Sequence, residues 1–250
     1  MEDILYQIYE SLPRQGPGSR QATLQAAELL KNVTIDPLIL DLGCGTGMQT
    51  FELSRFFGGT IYALDNHKPF LKRIEEKSWE LSLESKLKCI HGDMLYPSFK
   101  DEKFDIIWAE GSIYNLGVEK GLRGYRPFLK DRGYFAFTEV SWLKDDPPEE
   151  LKKFWDEEYP DIKTIKENID IIEKCSYSLV DSFILPDTAW WDDYYLPLEK
   201  KIVKMMTTFR QDKNVLALLN PLQREIDIFR KFSDYYGYVF YVLQKQNACE

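Results

Sequence analysis

The chain has 250 residues, 44% of them hydrophobic and 29% charged, which is enough for one large α/β domain that needs neither disulfides nor a metal for stability. Acidic residues outnumber lysine plus arginine by 41 to 32, giving a formal charge of −9 without a basic block, so nucleic acid is not expected as a partner. The four cysteines are widely spread and no apolar run approaches ~18 residues, so we expect no metal site, no membrane span and a reduced, cytoplasmic location.

Strand and helix patterns alternate through the first part of the chain. A Gly/Pro-rich loop at 12–19 precedes a helix predicted at 21–31. Strands are then predicted at 38–42, 60–64, 86–91, 104–109 and 134–140, with helices at 48–57, 69–80 and 118–130 between them. Such alternation predicts a parallel sheet with helices on both faces, whose strands all end at one edge.

The pattern changes after two prolines at 147 and 148. Helices are predicted at 149–158 and 162–174, and strands at 177–185 and 236–243. The long stretch between these strands carries two apolar stripes at helical spacing, namely Leu198, Ile202, Met205 and Phe209, and then Leu222, Ile226 and Phe229. The sequence therefore predicts a Rossmann-like α/β fold: a mostly parallel seven-stranded sheet with a helical insertion at 186–235, before the last strand.

The segment Leu40-Asp41-Leu42-Gly43-Cys44-Gly45-Thr46-Gly47 joins the first strand to a helix. Glycines there let the backbone approach a ligand, and the helix N–H groups point towards it. A dinucleotide fingerprint requires a glycine at the sixth position from Gly43, where this chain has Met48. Asp41 disfavours a pyrophosphate and favours a cationic amino group, whereas Asp65 can accept hydrogen bonds from ribose hydroxyls. S-adenosylmethionine joins a nucleoside to a charged amino acid.

Over about residues 35–140 the chain resembles the class I S-adenosylmethionine-dependent methyltransferases. The segments 110–117 and 190–197 are similar to a bacterial branch of small-molecule methyltransferases whose acceptors are largely unassigned. The resemblance implies a single methyltransferase domain over 1–250, comprising an N-terminal helical cap at 1–34, a cofactor-binding core at 35–145 and the insertion. It also implies S-adenosylmethionine as cofactor and direct in-line methyl transfer to a small molecule. Many family members lack the insertion.

The resemblance implies roles for individual residues. The glycine loop and Asp41 would hold the methionine part of the cofactor, Asp65 the ribose, and Asp93 with Met94 the adenine. The full set of expected cofactor-binding residues is Asp41, Gly43, Cys44, Gly45, Asp65, Asn66, Asp93, Met94 and Glu110.

The catalytic residue is not evident from the sequence, although three residues at strand ends are candidates. His91 and Glu139 end the third and fifth strands, and Tyr114 follows the fourth. A hydrogen-bonded strand-end histidine and a solvated edge carboxylate are the competing interpretations of the first two.

An aromatic group in the insertion, Trp190, Trp191, Tyr194 and Tyr195, fits either core packing or, together with the loop at 14–19, a cover over the acceptor. A non-catalytic S-adenosylmethionine sensor and a nicotinamide-dependent oxidoreductase are the alternative functions. The sequence leaves the oligomeric state open, a homodimer being one option.

Overall fold

A computed structural model describes residues 2–101 and 103–246, so Cys249 lies outside the described residues. Two helices, α1 (Glu2–Glu10) and α2 (Arg20–Glu28), precede the sheet. The next elements are β1 (Leu38–Leu42), α3 (Met48–Phe56), β2 (Thr60–Asp65), α4 (Lys68–Glu80), β3 (Leu87–His91), β4 (Phe104–Ala109), α5 (Val118–Tyr125) and β5 (Leu129–Trp142). They are followed by α6 (Glu149–Glu158), β6 (Lys163–Thr164), α7 (Ile165–Lys174), β7 (Tyr177–Ile184), α8 (Thr188–Trp190), a π-helical turn (Trp191–Tyr195), α9 (Leu196–Thr208), α10 (Lys213–Phe232) and β8 (Tyr236–Lys245).

The sheet has the strand order β3-β2-β1-β4-β5-β8-β7, and β6 adds a two-residue strand beside the end of β5. Neighbours from β3 to β5 pair in parallel, whereas β8 is antiparallel to both β5 and β7. The central strand β1 is an apolar run interrupted by one acidic residue, as expected for a strand covered on both faces. The predicted Rossmann-like architecture is confirmed, with β6 as an additional short strand.

The helix predicted at 118–130 is shorter, because α5 ends at Tyr125. Pro127 follows two residues later; proline lacks the N–H that a continuing α-helix needs, and the chain goes on as a short 3-10 helix at Arg126–Phe128. The strand predicted from residue 134 consequently begins earlier, at Leu129. The turn-like sequence around Gly133 corresponds to an irregular part of β5. Arg132 has a positive φ of 59°, and the pairing of β5 with β4 shifts register there.

Two other helix boundaries differ from the prediction. The helix expected from residue 162 begins at Ile165, because Thr164 caps it in a reciprocal pair with Glu167 and also pairs with β5. The first predicted helix spans Arg20–Glu28 rather than 21–31, with the Ser19 hydroxyl accepting a hydrogen bond from the Ala22 N–H at its start.

The insertion contains the two predicted long helices, α9 and α10, and α8 runs into α9 through the π-helical turn. Leu198 and Ile202 are buried as predicted, but Phe209 follows the end of α9 and is 41% exposed, so its inclusion in the stripe was wrong. The insertion shares one hydrophobic cluster with α1, α6 and Val140 near the end of β5. Within the described residues, no helix is both long and apolar enough to cross a membrane.

Candidate functional site

The glycine loop between β1 and α3 is fixed against its neighbours. The N–H groups of Gly43 and Cys44 both donate to the Leu64 carbonyl oxygen, at 2.8 and 3.0 Å. Gly43 has a φ of +65°, and a Cβ there would lie 2.6 Å from the Cβ of Ser112 and 2.9 Å from the Cε of Met94. Both the backbone conformation and the close packing therefore require glycine at this position.

A cavity of about 410 Å³, which we call the glycine-loop cavity, opens beside this loop. Eight of the nine predicted cofactor-binding residues line it, namely Gly43, Cys44, Gly45, Asp65, Asn66, Asp93, Met94 and Glu110. They come from the ends of β1 to β4, which meet at one edge of the parallel sheet. Tyr6, Gln49 and Ser112 also line the cavity and were not predicted.

Asp65 ends β2 at the wall of this cavity. Its Oδ2 accepts a hydrogen bond from the Gly45 N–H at 2.9 Å, and its Oδ1 accepts one from the His67 N–H at 2.8 Å. Burial raises the pKa of the carboxyl. Since a carboxylate has about four acceptor positions, Asp65 can still accept two more hydrogen bonds from a ligand.

Arg14, in the loop between α1 and α2, also lines the glycine-loop cavity. Its Nη1 donates to Glu110 Oε1 at 2.9 Å, while its buried Nε and Nη2 have no partner. The Glu110 carboxylate also accepts hydrogen bonds from Thr23 Oγ1 at 2.9 Å and from Trp108 Nε1 at 3.2 Å. Glu110 is thus occupied in holding Arg14, a buried guanidinium at the cavity wall that still has unused hydrogen-bond donors.

The loop at 14–19 bridges the glycine loop and the insertion. Gln15 Oε1 accepts a hydrogen bond from the Thr46 N–H at 2.9 Å. On the other side, the Gly18 N–H donates to the Ala189 carbonyl oxygen at 2.9 Å. The structure therefore places this loop over the cleft, in the position that the sequence predicted for a cover.

A second cavity of about 530 Å³, which we call the aromatic cavity, adjoins the first. The two cavities share a set of wall residues, Tyr6, Gln15, Gly16, Pro17, Phe70, Gly111 and Tyr114. The remaining walls of the aromatic cavity come from β5, α6, the insertion and β8, together with Tyr9. The two cavities therefore lie side by side, between the glycine loop and the insertion.

The chain is similar to known proteins in sequence and in fold. The family described as a methyltransferase domain matches residues 40–137, which extend from β1 into β5 and include the glycine loop. Residues 40–137 thus carry a methyltransferase domain, in agreement with the family resemblance found in the sequence.

Among curated relatives of this chain, the sterol 24-C-methyltransferase of Clavispora lusitaniae is 29% identical over 140 residues. The match covers 54% of this chain and 37% of the relative. Matches to fungal sterol 24-C-methyltransferases cover 28–50% of their lengths. Among solved structures, methyltransferases from Geobacter sulfurreducens and Thiobacillus denitrificans, both in complex with S-adenosylhomocysteine, have TM-scores of 0.82 and 0.81. They are 18% and 20% identical, with 97% of this chain and 98% of each structure covered, and they confirm the fold.

Asp41 is the one predicted cofactor-binding residue that does not line the glycine-loop cavity, so the structure gives no support to its predicted direct contact with the cofactor. The carboxylate is fully buried and accepts hydrogen bonds from Thr50 Oγ1 at 2.6 Å and Gln49 Nε2 at 3.3 Å. Burial raises its pKa to about 7, an effect that the two hydrogen bonds reduce. Gln49, which Asp41 positions, lines the cavity instead.

Asp41 should make the stability of the methyltransferase depend on pH. Because the folded chain holds this proton at a higher pH than the unfolded chain, the free energy of unfolding should fall as pH rises from about 4 to 7. Asp41→Asn should remove on the order of 3 kcal/mol of that fall, since an amide does not ionise. Urea unfolding at pH 4.5, 6 and 7.5 would measure it, with the exposed Asp170→Asn as control. The same slope in Asp41→Asn and the unmodified chain would contradict the assignment.

The three catalytic candidates have different surroundings. Tyr114 lines both cavities, and its ring lies edge-on to Tyr159 at 6.4 Å. His91 lines neither cavity; its Nε2 lies 3.1 Å from the Asn66 carbonyl oxygen, in an exposed position, so it is not placed to act on an acceptor. Tyr114 is thus the candidate at the junction of the two cavities.

Glu139 was expected either to face the acceptor or to be a solvated carboxylate at the sheet edge, and the second interpretation was wrong. It is 3% exposed and lines neither cavity. Burial raises its pKa to about 8, a shift reduced by a hydrogen bond with Tyr159, and its Oε2 has no partner. The carboxyl therefore lies behind the cavity wall, next to Tyr159.

The aromatic group of the insertion divides between the two roles considered for it. Trp190 and Tyr194 line the aromatic cavity. Trp190 is also core, because it is 3% exposed and stacks on Phe229 with ring centroids 4.3 Å apart. Trp191 lines neither cavity; its ring packs under the Arg230 guanidinium, 5.0 Å from the ring centroid, so its expected place over the acceptor was wrong.

Proposed function

We propose that this chain transfers the methyl group of S-adenosylmethionine to a small-molecule acceptor held in the aromatic cavity. The observation that carries the proposal is that the two cavities adjoin and share wall residues, among them Gly111 and Tyr114. When bound, S-adenosylmethionine would supply a methyl group on a cationic sulfur. A donor site directly beside an acceptor site is the geometry that group transfer needs.

The residues of the glycine-loop cavity fit this cofactor in chemical terms. Asp65 has acceptor capacity for ribose hydroxyls, and the free N–H groups of Arg14 suit the carboxylate of an amino acid. Asp93, whose Oδ1 accepts from the Leu95 N–H at 2.9 Å, can accept from an exocyclic amine, and Met94 offers an apolar wall to the base. Residues 35–145 together with Arg14 thus bind the cofactor in this proposal, and the other residues of 1–34 and 186–235 close the site.

The contribution of the chain to the reaction is alignment of the acceptor and exclusion of water. Gln15, Gly16 and Pro17 line both cavities, so the loop that carries them covers the point where the two meet. Tyr114 lies at the same junction, where its hydroxyl can orient an acceptor atom for in-line displacement. Holding the reacting atoms in line contributes most to such a reaction, since the donor is already activated.

The two alternative functions make different predictions. A sensor needs only the glycine-loop cavity, so the adjoining aromatic cavity supports an enzyme instead. A nicotinamide-dependent enzyme would be stabilised by NAD, whereas the proposed methyltransferase would be stabilised by S-adenosylhomocysteine. Thermal unfolding with each ligand separates the two. Stabilisation by NAD alone would refute the proposed function.

Asp65→Ala should weaken S-adenosylhomocysteine binding about tenfold or more. The variant loses the acceptor of the ribose hydroxyls, and each such hydrogen bond contributes roughly 1–2 kcal/mol. Calorimetry measures the dissociation constant directly, and the exposed Asp170→Ala serves as the matched control because it lies on α7, away from both cavities. Unchanged affinity in a folded Asp65→Ala protein would remove Asp65 from the cofactor site.

A further inference from the structure

The walls of the aromatic cavity carry charge of one sign only. Two of the lining residues, Glu158 and Glu225, are acidic, and none of the described residues that line the cavity is lysine, arginine or histidine. The other walls are mainly rings, contributed by Tyr6, Tyr9, Phe70, Tyr114, Phe154, Trp155, Tyr159, Trp190, Tyr194 and Tyr238. The hydroxyls and the indole N–H can serve a neutral oxygen, but nothing in the lining compensates an anion.

Glu225 is the less exposed of the two acidic residues that line this cavity. It lies on α10, one helical turn after Pro221, and its Oε1 accepts a hydrogen bond from the Tyr195 hydroxyl at 2.8 Å. Within residues 2–101 and 103–246, no lysine, arginine or histidine forms an ion pair with it. Burial raises its pKa, because water is largely withdrawn from the carboxyl. A desolvated carboxylate without a cation is costly to the fold, and a cationic ligand would remove that cost.

The charge of Glu225 affects the pKa of the tyrosines around it. The negative carboxylate contributes to the raised pKa of the Tyr9, Tyr114 and Tyr238 hydroxyls, although burial is the larger cause for all three. These residues all line the aromatic cavity. Aromatic faces attract a cation, and more strongly where water is excluded. A carboxylate surrounded by aromatic rings is therefore a site for a cation with an apolar body.

We propose that the aromatic cavity selects acceptors that carry a protonated amine on an apolar or aromatic body, with Glu225 as the residue that anchors the amine. This inference rests on the proposed function, since it names the class of acceptor for the same site. Glu158, exposed at the rim, adds attraction of the same sign. Carboxylates and phosphates are rejected, because they would meet like charge and no compensating group.

Calorimetry on the full chain saturated with S-adenosylhomocysteine tests this selection. The probes are matched sets on phenyl, indole and alkyl bodies, each as an amine, an alcohol and a carboxylate; tryptamine, tryptophol and indole-3-propionate are one set. At least one amine should bind about tenfold or more tightly than both of its partners. Glu225→Gln should remove that preference while its amide oxygen still accepts from Tyr195. Glu173→Gln, exposed on α7, is the control and should preserve it.

The outcomes separate this inference from the proposed function. If the unmodified chain does not bind S-adenosylhomocysteine, the proposed function fails first. If it binds S-adenosylhomocysteine but no amine is preferred over its carboxylate, the selection of amines is wrong. If an amine is preferred equally by the unmodified chain and by a Glu225→Gln protein that still binds S-adenosylhomocysteine, the cavity selects amines and Glu225 is only a structural partner of Tyr195. That last result would overturn the assignment of the anchor.

Discussion

Arg14→Lys is expected to weaken the binding of S-adenosylhomocysteine about 100-fold while leaving the binding of 5′-methylthioadenosine unchanged. In the structure Nη1 of Arg14 donates to Glu110, and the buried Nε and Nη2 have no partner. A guanidinium can bond Glu110 and a ligand carboxylate at once, whereas an ammonium has a shorter reach and no fork geometry. Methylthioadenosine keeps the nucleoside and lacks the amino acid, so only one of the two ligands should report the change.

Calorimetry with both ligands on the unmodified chain and on Arg14→Lys gives four dissociation constants. Together they isolate the contribution of the contact between Arg14 and the amino-acid part of the ligand. Charge-assisted hydrogen bonds contribute about 1.5–3 kcal/mol each, so losing the pair accounts for the expected ratio. Arg20→Lys is the control, because Arg20 is an exposed arginine of the N-terminal region that pairs with Glu52 and lines neither cavity. An equal loss for both ligands would indicate that Arg14 supports the N-terminal loop and does not hold the amino-acid end.

The sheet could be predicted because its signals are local in the sequence. Residues 38–42 and 60–64 are apolar runs of strand length between turn and helix patterns, and each strand lies close to its predicted bounds. The end of α5 was missed because the apolar spacing continued past Pro127, although proline is itself a helix-ending signal. The short strand β6 has only two residues and depends on pairing with β5, which no local pattern reveals.

The site was predicted where strand ends supply it and missed where distant segments do. Asp65 follows from its position at the end of β2, because the ends of parallel strands share one edge. Arg14 and Glu110 are 96 residues apart, and although the loop at 14–19 was predicted to cover the acceptor, no local pattern indicated that Arg14 would pair with Glu110 at the glycine-loop cavity. Glu225 was one acidic residue in a helical pattern, and its position facing the aromatic cavity depends on how α10 packs.

Asp41 shows a different limit of prediction from sequence. Its place before the glycine loop was correctly recognised, but strand residues alternate in direction and the sequence did not show which side its carboxylate takes. In the structure that side is occupied by Thr50 and Gln49 at the start of α3, which bind both carboxylate oxygens. The acid thus fixes the helix that follows the loop, and it acts on a ligand only through Gln49.

Gly59→Ala should destabilise the fold by about 3 kcal/mol or more. A Cβ at this buried position would lie 1.9 Å from the carbonyl oxygen of Pro37 and 2.5 Å from its nitrogen, both of them backbone atoms that no side-chain rotation can move away. The Pro37 carbonyl oxygen also accepts the hydrogen bond of the Thr60 N–H at 3.0 Å. The clash therefore falls where β1 and β2 begin to pair, at Leu38 and Thr60.

The matched control is Gly124→Ala on α5, where a Cβ would meet nothing within 4 Å. That variant should gain about 0.5–1 kcal/mol, because alanine is a better helix former than glycine. Calorimetric unfolding should place the midpoint of Gly59→Ala about 6–12 °C below that of the unmodified chain, at roughly 2–4 °C per kcal/mol for a chain of this size. Because β1 leads directly into the glycine loop, S-adenosylhomocysteine affinity should fall with stability in Gly59→Ala and remain unchanged in Gly124→Ala. Equal midpoints for the two variants would show that the start of β1 can move away from β2, so that the glycine loop does not depend on a fixed register there.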